Sequence, residues 1–206
     1  MPSWTGYKLI TAATVEPVSM DDARIQCALG DSSVFDSELD MYITAARDRV
    51  ETITARRLVT QTWDVFYPCL MDPIVLPFGN LQEVTEFEYT DSAGTTVAFT
   101  ITGDDVLSGS QVIANVETNN GEPSSTGRIR LAYSQQWPSV TFATSRPVRI
   151  RAVFGWEREN IPPALLQANR LLIGDWFRNR EATKDTPMFE SPNGLASLVS
   201  DYVVYA

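Results

Sequence analysis

The chain has 206 residues, of which 44% are hydrophobic and 20% charged, enough for one large domain or two small ones with a true core. It has no histidine, only two widely separated cysteines and no run near the roughly 18 apolar residues that cross a bilayer. These features argue against imidazole acid–base chemistry, zinc or redox motifs and a membrane span. The net charge of −10 is unevenly placed: residues 61–145 hold ten acids against Arg128 and Arg130 alone, while 1–60 hold nine acids and six bases and 146–206 seven acids and eight bases. A negative middle third should repel a nucleic-acid backbone. It equally suits a plain solvated face.

The N-terminal Met1-Pro-Ser-Trp-Thr-Gly-Tyr-Lys8 lacks a basic segment followed by an apolar one, so no secretory leader is expected. Cys27 and Cys69 are then expected as small buried hydrophobes in a reduced compartment, although pairing is a question of geometry. The first strong signal is Glu16-Pro-Val-Ser19-Met-Asp-Asp22. Ser19 suits an N-cap and Asp22 stands where a capping box has its acid, which predicts a short helix over 20–29 ended by Gly30. A second helix is predicted over 37–54. Leu39, Tyr42, Ile43, Ala46, Val50 and Ile53 recur every three or four residues there, and Arg47, Asp48, Arg49 and Glu51 fall elsewhere on its surface, facing solvent or a neighbouring subunit.

From Gln61 the period changes to two, with Thr62, Asp64 and Phe66 alternating with Trp63, Val65 and Tyr67. Further strands are predicted at 74–76, 83–89, 95–101, 111–116, 127–132 and 148–154. Asp91-Ser-Ala-Gly94 reads as a hairpin loop, and Gly103-Asp-Asp105 and residues 119–125 as turns. Helix returns after Ile161-Pro-Pro163. Leu165, Leu166, Ala168, Leu171, Leu172, Ile173, Trp176 and Phe177 make that helix apolar around much of its circumference, so it must be buried against the first two helices or a partner chain. Residues 181–206 mix loop-like stretches with apolar Leu195, Leu198, Val199, Tyr202, Val203, Val204 and Tyr205. Fully extended they would reach about 85 Å at about 3.3 Å per residue, an arm suited to docking on another subunit; the alternative is a short helix and strand folded back on the same domain.

No phosphate-binding loop, nucleophile elbow or zinc pattern is present. Asp104-Asp105 are neighbours in a turn and do not converge on one substrate. Asp21-Asp22 sit in a first helical turn, where acids complement the dipole. Trp137-Pro138 and Gly155-Trp156 flank the last strand and suit core or subunit packing, with a ligand pocket as the alternative. Neither catalytic, metal nor cofactor-binding residues are assigned.

The order of these signals resembles the head–tail connector (adaptor) proteins of long-tailed phages, the phiE125 gp8 and HK97 gp6-like family, also found in gene transfer agents. The resemblance is carried by Glu16-Pro-Val-Ser19, Leu39, Tyr42-Ile43, Ala45-Ala46-Arg47 and Val50-Glu51, followed by Arg57-Leu-Val-Thr-Gln-Thr-Trp63, Leu76-Pro77, Leu81, Val84 and the Tyr89-Thr-Asp-Ser-Ala-Gly94 hairpin. Trp137-Pro138, Val148-Arg-Ile-Arg-Ala-Val-Phe-Gly155, Ile161-Pro162, Trp176-Phe-Arg-Asn-Arg-Glu181 and Tyr202 complete it. The family usually has tyrosine in place of Trp176 or Phe177, and the stretch between Gly94 and Trp137 matches least.

The fold class expected is α+β: a helical bundle core (1–60 and 157–182), a β-rich insertion between the second and last long helices (61–156) and an extended C-terminal arm (183–206). The resemblance implies a non-enzymatic virion protein made in the host cytoplasm and located in the neck. There it would form a ring of twelve copies between the portal protein and a head–tail stopper or tail terminator protein, with DNA passing through the channel without specific binding. Leu195, Leu198, Val199, Tyr202, Val204 and Tyr205 are the expected portal-docking residues. Leu172, Trp176, Phe177, Arg178 and Arg180 are expected to pack between subunits. The rival readings are another neck or tail-completion protein, a β-type module that binds a carbohydrate or peptide, and a carboxylate hydrolase.

Overall fold

The computed structural model describes residues 5–102, 112–115, 118–119, 122–123, 127–131, 134–143, 145–179 and 194–204. The turn predicted at 103–105, residues 120–121 and 124–125 of the turn predicted at 119–125, residues 183–193, Arg180 and Tyr205 lie outside the described residues. The fold is α+β. It divides into two compact units, a β unit (Met1–Ala13, Thr60–Trp156 and Val204–Ala206) and a helical unit (Thr14–Val59 and Glu157–Val203).

In chain order the elements are β1 (Gly6–Thr11), α1 (Met20–Gln26), α2 (Asp36–Thr54), β2 (Gln61–Tyr67), β3 (Ile74–Val75), β4 (Leu81–Thr90), β5 (Thr96–Ala98) and β6 (Ile101–Thr102). After these come β7 (Val112–Asn115), β8 (Thr118–Asn119), β9 (Glu122–Pro123), β10 (Arg128–Leu131), β11 (Val148–Phe154), α3 (Pro163–Arg178) and α4 (Leu195–Val199). The β unit is built on an antiparallel sheet in the order β1-β2-β11-β4-β5, with a second sheet β3-β10-β7-β6 and a β8-β9 pair.

Alternation sets the β core. Val65 and Tyr67 on β2, Val84, Phe87 and Tyr89 on β4, and Val148, Ile150, Ala152 and Phe154 on β11 all point to one face, where they meet Ile74, Leu76 and Ile129 of the second sheet. Each buried valine, leucine, isoleucine or phenylalanine among them contributes about 1.5–3 kcal/mol by leaving water. Rings interlock within this layer: Phe78 meets Phe154 edge-on with centroids 5.4 Å apart, and Phe99 lies 4.5 Å from Phe87 and 5.5 Å from Trp137. Trp156 is buried too, so both tryptophans flanking β11 serve packing. Gly127 is required where the sheets approach, because a Cβ there would stand 2.5 Å from Leu81 Cδ2. The predicted hairpin closes β4 onto β5: Asp91 Oδ1 accepts from the amides of Ala93 (2.9 Å) and Thr95 (2.8 Å), and Gly94 takes φ +84°.

In the helical unit Ser19 caps α1 as expected, its Oγ accepting from the Asp22 amide at 3.1 Å. The Asp22 carboxylate reaches back to Ser19, accepting from its hydroxyl at 2.7 Å and from its backbone amide, the reciprocal contact of a capping box. The helix ends before Gly30. The amide of Leu29 donates to Arg24 O (2.9 Å) and that of Ala28 to Ile25 O (3.0 Å), a Schellman closure with Ala28 at φ +56° in the left-handed seat usually given to glycine. On α2, Leu39, Ile43, Ala46 and Val50 are buried in one stripe. Pro163 starts α3, which buries Leu165, Ala168 and Ile173. Val18, Ala23, Leu39, Ile43, Ala46 and Ile173 form the core of this unit.

Three expectations change. Residues 6–11 are expected among the helices, but Gly6–Thr11 pairs with β2 and belongs to the sheet. Tyr7 and Leu9 alternate with Lys8 as a strand should. The C-terminal segment, expected as an extended arm, is helical over Leu195–Val199 and Ser200–Tyr202 and packs on α3. Val199 is buried there, and Tyr202 O accepts from Arg56 Nε at 2.6 Å. No disulfide joins Cys27 and Cys69, and Cys69 is exposed rather than buried.

Candidate assembly surfaces

The outer face of the five-stranded sheet is polar, and its register sorts the charges into rows. Lys8 on β1 stands across from Asp64 on β2, which stands across from Arg151 on β11 and, beyond it, Glu86 on β4. The next row runs Gly6, Phe66, Arg149, Glu88 and Ala98. Asp64 is buried between two guanidinium groups. Arg151 reaches its two oxygens through Nε at 2.7 Å and Nη2 at 3.0 Å, and Arg149 Nη1 lies 3.3 Å from Oδ2. Arg149 also donates to Glu88 (2.7 Å) and Glu86 (2.7 Å), and Arg151 to Glu86 (2.9 Å). These bonds, that to Glu88 foremost, hold the Arg149 guanidinium above its ordinary pKa. Three acids from the acidic middle third are therefore met by two arginines from the segment that follows it. Part of the negative field that a count along the sequence places on the surface is spent inside this network.

The helical unit treats its charges differently. Glu51 on α2 is buried; its Oε1 accepts from the Leu58 amide at 2.9 Å and its Oε2 from Arg57 Nη1 at 3.1 Å. Burial nevertheless wins and raises its pKa. Glu16, half-buried beside Arg47 Nε at 3.0 Å, is also raised by burial. It lines a shallow cleft with Val15, Val18, Ser19, Met20, Asp40, Ile43 and Arg158. Arg24 joins α1 to the start of α2 through Asp36 (Nε to Oδ1, 2.9 Å), and that hydrogen bond lowers the Asp36 pKa. Arg170 on α3 reaches Asp22 at 2.9 Å, and Arg56 Nε donates to Tyr202 O at 2.6 Å. Large apolar side chains also face solvent here: Ile25, Met41 and above all Val34, which is 80% exposed.

The residues expected to pack between subunits pack first within their own chain. Leu172, Trp176 and Phe177 are half-buried against the helical core, with Trp176 6.2 Å from Tyr42 and Phe177 edge-on to Phe35 at 5.5 Å. Arg178 is exposed. Among the expected docking residues Val199 and Val204 are buried, while Leu195, Leu198 and Tyr202 are half-exposed. Among the described residues no group of three or more His, Cys, Asp or Glu is placed to hold a metal, and no helix is long and apolar enough to cross a membrane. The sequence signal for the sheet network was present only as charge alternation on separate strands, since its partners lie up to 87 residues apart.

No protein-family profile and no curated protein matches the chain. Solved structures do. A chain in the neck of an empty gene transfer agent (GTA) particle, computed with C6 symmetry, superposes with a TM-score of 0.71 at 20% identity, over 98% of this chain and 97% of that one. The chain shares the fold of a GTA particle protein. A chain of the virion of native GTA gives a TM-score of 0.72 at 20% identity over 97% and 96%. One from the neck of native GTA, computed with C12 symmetry, gives 0.68 at 20% identity over 98% and 97%.

Proposed function

We propose that this chain is a structural protein of the neck of a phage-like particle, a ring-forming adaptor between the portal and the tail-side neck proteins. The observation that carries this is the near-complete coverage in both directions: helical unit and β unit alike recur in chains from GTA neck structures. A fold shared by a lone module would cover only one unit. In this reading about twelve copies surround the DNA path, and a head–tail stopper or tail terminator protein binds the far side of the ring. The chain works by assembling rather than by catalysis, in the virion after synthesis in the host cytoplasm. A net charge of −10 suits a wall along which DNA slides without being gripped.

Portal docking falls to Leu195, Leu198 and Tyr202, the half-exposed apolar residues around α4, because Val199 and Val204 are already buried. Removing everything after Pro192 would strip α4 from α3, so point variants are the better probe. Leu198→Ser is expected to weaken portal binding by at least about tenfold, since apolar anchors dominate interfaces. Arg178→Ala should change it little. Binding is read by co-sedimentation with purified portal rings, with thermal melting as the control for folding. Equal binding by wild type and Leu198→Ser would remove the docking assignment, and no binding by the wild-type chain would remove the adaptor reading.

A further inference from the structure

The five-stranded sheet has two outer strands, β1 and β5, and no described strand pairs with the far edge of either. The two edges are complementary. On the core-side face β1 leaves Tyr7 52% exposed and Leu9 exposed as well, although Tyr7 packs its ring on Trp63 and Phe78. On the same face of β5, across from Tyr89, Val97 is 40% exposed. On the polar face β1 carries Lys8, which makes no ion pair among the described residues. The other side of the sheet carries Glu83, Glu86 and Glu88 of β4. The row Lys8, Asp64, Arg151, Glu86 thus alternates in sign, beginning with a base at one edge and ending with an acid near the other.

We infer that a second copy of this chain adds its β1 to the β5 edge of the first, continuing the sheet head to tail. The occupant is another copy because one sheet supplies both halves of the match. Tyr7 and Leu9 would cover Val97, and Lys8 would extend the alternating row beside the β4 acids. In an all-antiparallel sheet of five strands the first and fifth run the same way, so a copy related by a simple step pairs β1 parallel to β5. Such an interface is heterologous; repeated, it closes a ring or grows without end, and it never stops at a dimer. A solvated edge strand is usually defended. Here the defences are Lys8 and the bulge between Leu9 and Thr11, which leave Gly6–Leu9 regular enough to pair. With only three residues in β5 each junction is weak, and the ring draws its strength from closure.

The inference rests on the ring reading above and is tested separately from it. In a Cys27→Ser, Cys69→Ser background, Leu9→Cys and Val97→Cys are introduced and the concentrated protein is treated with a short bis-maleimide, which tolerates the unknown register. The double variant is expected to give a ladder of dimers, trimers and higher species on a denaturing gel. A mixture of the two single variants should stop at dimers, and either single variant alone should stay monomeric. Adding Lys8→Glu should slow the ladder about fivefold, with Ala98→Lys, on the polar face of the partner's β5 edge, restoring it. A double variant that gives no ladder, or Leu9→Cys alone giving dimers as fast as the mixture, overturns the inference. If that same protein still binds portal rings, the neck reading stands and only this interface is lost; if it does not, both fall.

Discussion

Among the described residues each unit buries one carboxylate, and the two are held by different means. In the sheet, Asp64 lies between Arg149 and Arg151, placed there by cross-strand register, and both arginines have further acids to bind. In the helical unit, Glu51 has Arg57 and a backbone amide seven residues ahead, where the chain leaves α2. The sheet network is shared among five side chains on three strands, so its geometry is fixed by the ladder itself. The Glu51 arrangement is local, and dehydration of the acid outweighs the partners it gains. A buried acid therefore stiffens the β unit, whereas the one in the helical unit is a site of tension at neutral pH.

The contrast can be broken at its strong end. Asp64→Ala strands two partly buried guanidinium groups on the sheet and should cost about 3 kcal/mol, measured by urea unfolding at pH 7. A loss below about 0.5 kcal/mol would show that Glu86 and Glu88 alone suffice, and that the network resembles a surface ion pair.

The Glu51 end is sharpened by pH. A carboxyl whose folded pKa lies above its unfolded value binds its proton more tightly in the native state, so its contribution is present below the unfolded pKa. It is lost as pH rises through the folded one. Glu51→Gln keeps an acceptor for the Leu58 amide and removes the ionisation. Its stability relative to wild type should rise between pH 4 and pH 7, reaching about 1 kcal/mol in favour of the variant. A variant that loses ground over that range would mean Arg57 holds the ionised form after all. The smallest effect is expected at Ala28→Gly, which relieves the left-handed seat at the end of α1 and should stabilise by about 0.5–1 kcal/mol. A loss there would show that the Ala28 methyl makes a contact worth more than the strain.

Much of this architecture was legible because it is periodic and local. The α2 stripe, the Ser19 cap, the Asp91–Gly94 hairpin and the alternation of β2 and β11 each state their structure within a few residues. What was hidden depends on residues far apart. The Asp64–Arg151 pairing needs a register that no short window contains, and a charge count over 61–145 could not show that two arginines from beyond it would pair with three of its acids. In β1, Tyr7, Lys8 and Leu9 alternate as a strand does, but the stretch is too short to stand alone without β2. The early end of α1 arises because Ala28, not Gly30, turns the chain. For the assembly surfaces the apolar character of α3 and of residues 195–204 was plain. How much of it the chain would satisfy by itself was not, since that depends on whether α4 folds back on α3.

The account stands or falls on where the chain sits in an intact particle. A density map of the particle that encodes it, with this chain traced, is expected to show it as a closed ring in the neck between portal and tail, with about twelve copies. A map in which the neck is complete without it, or which places it elsewhere in the particle, would contradict the account.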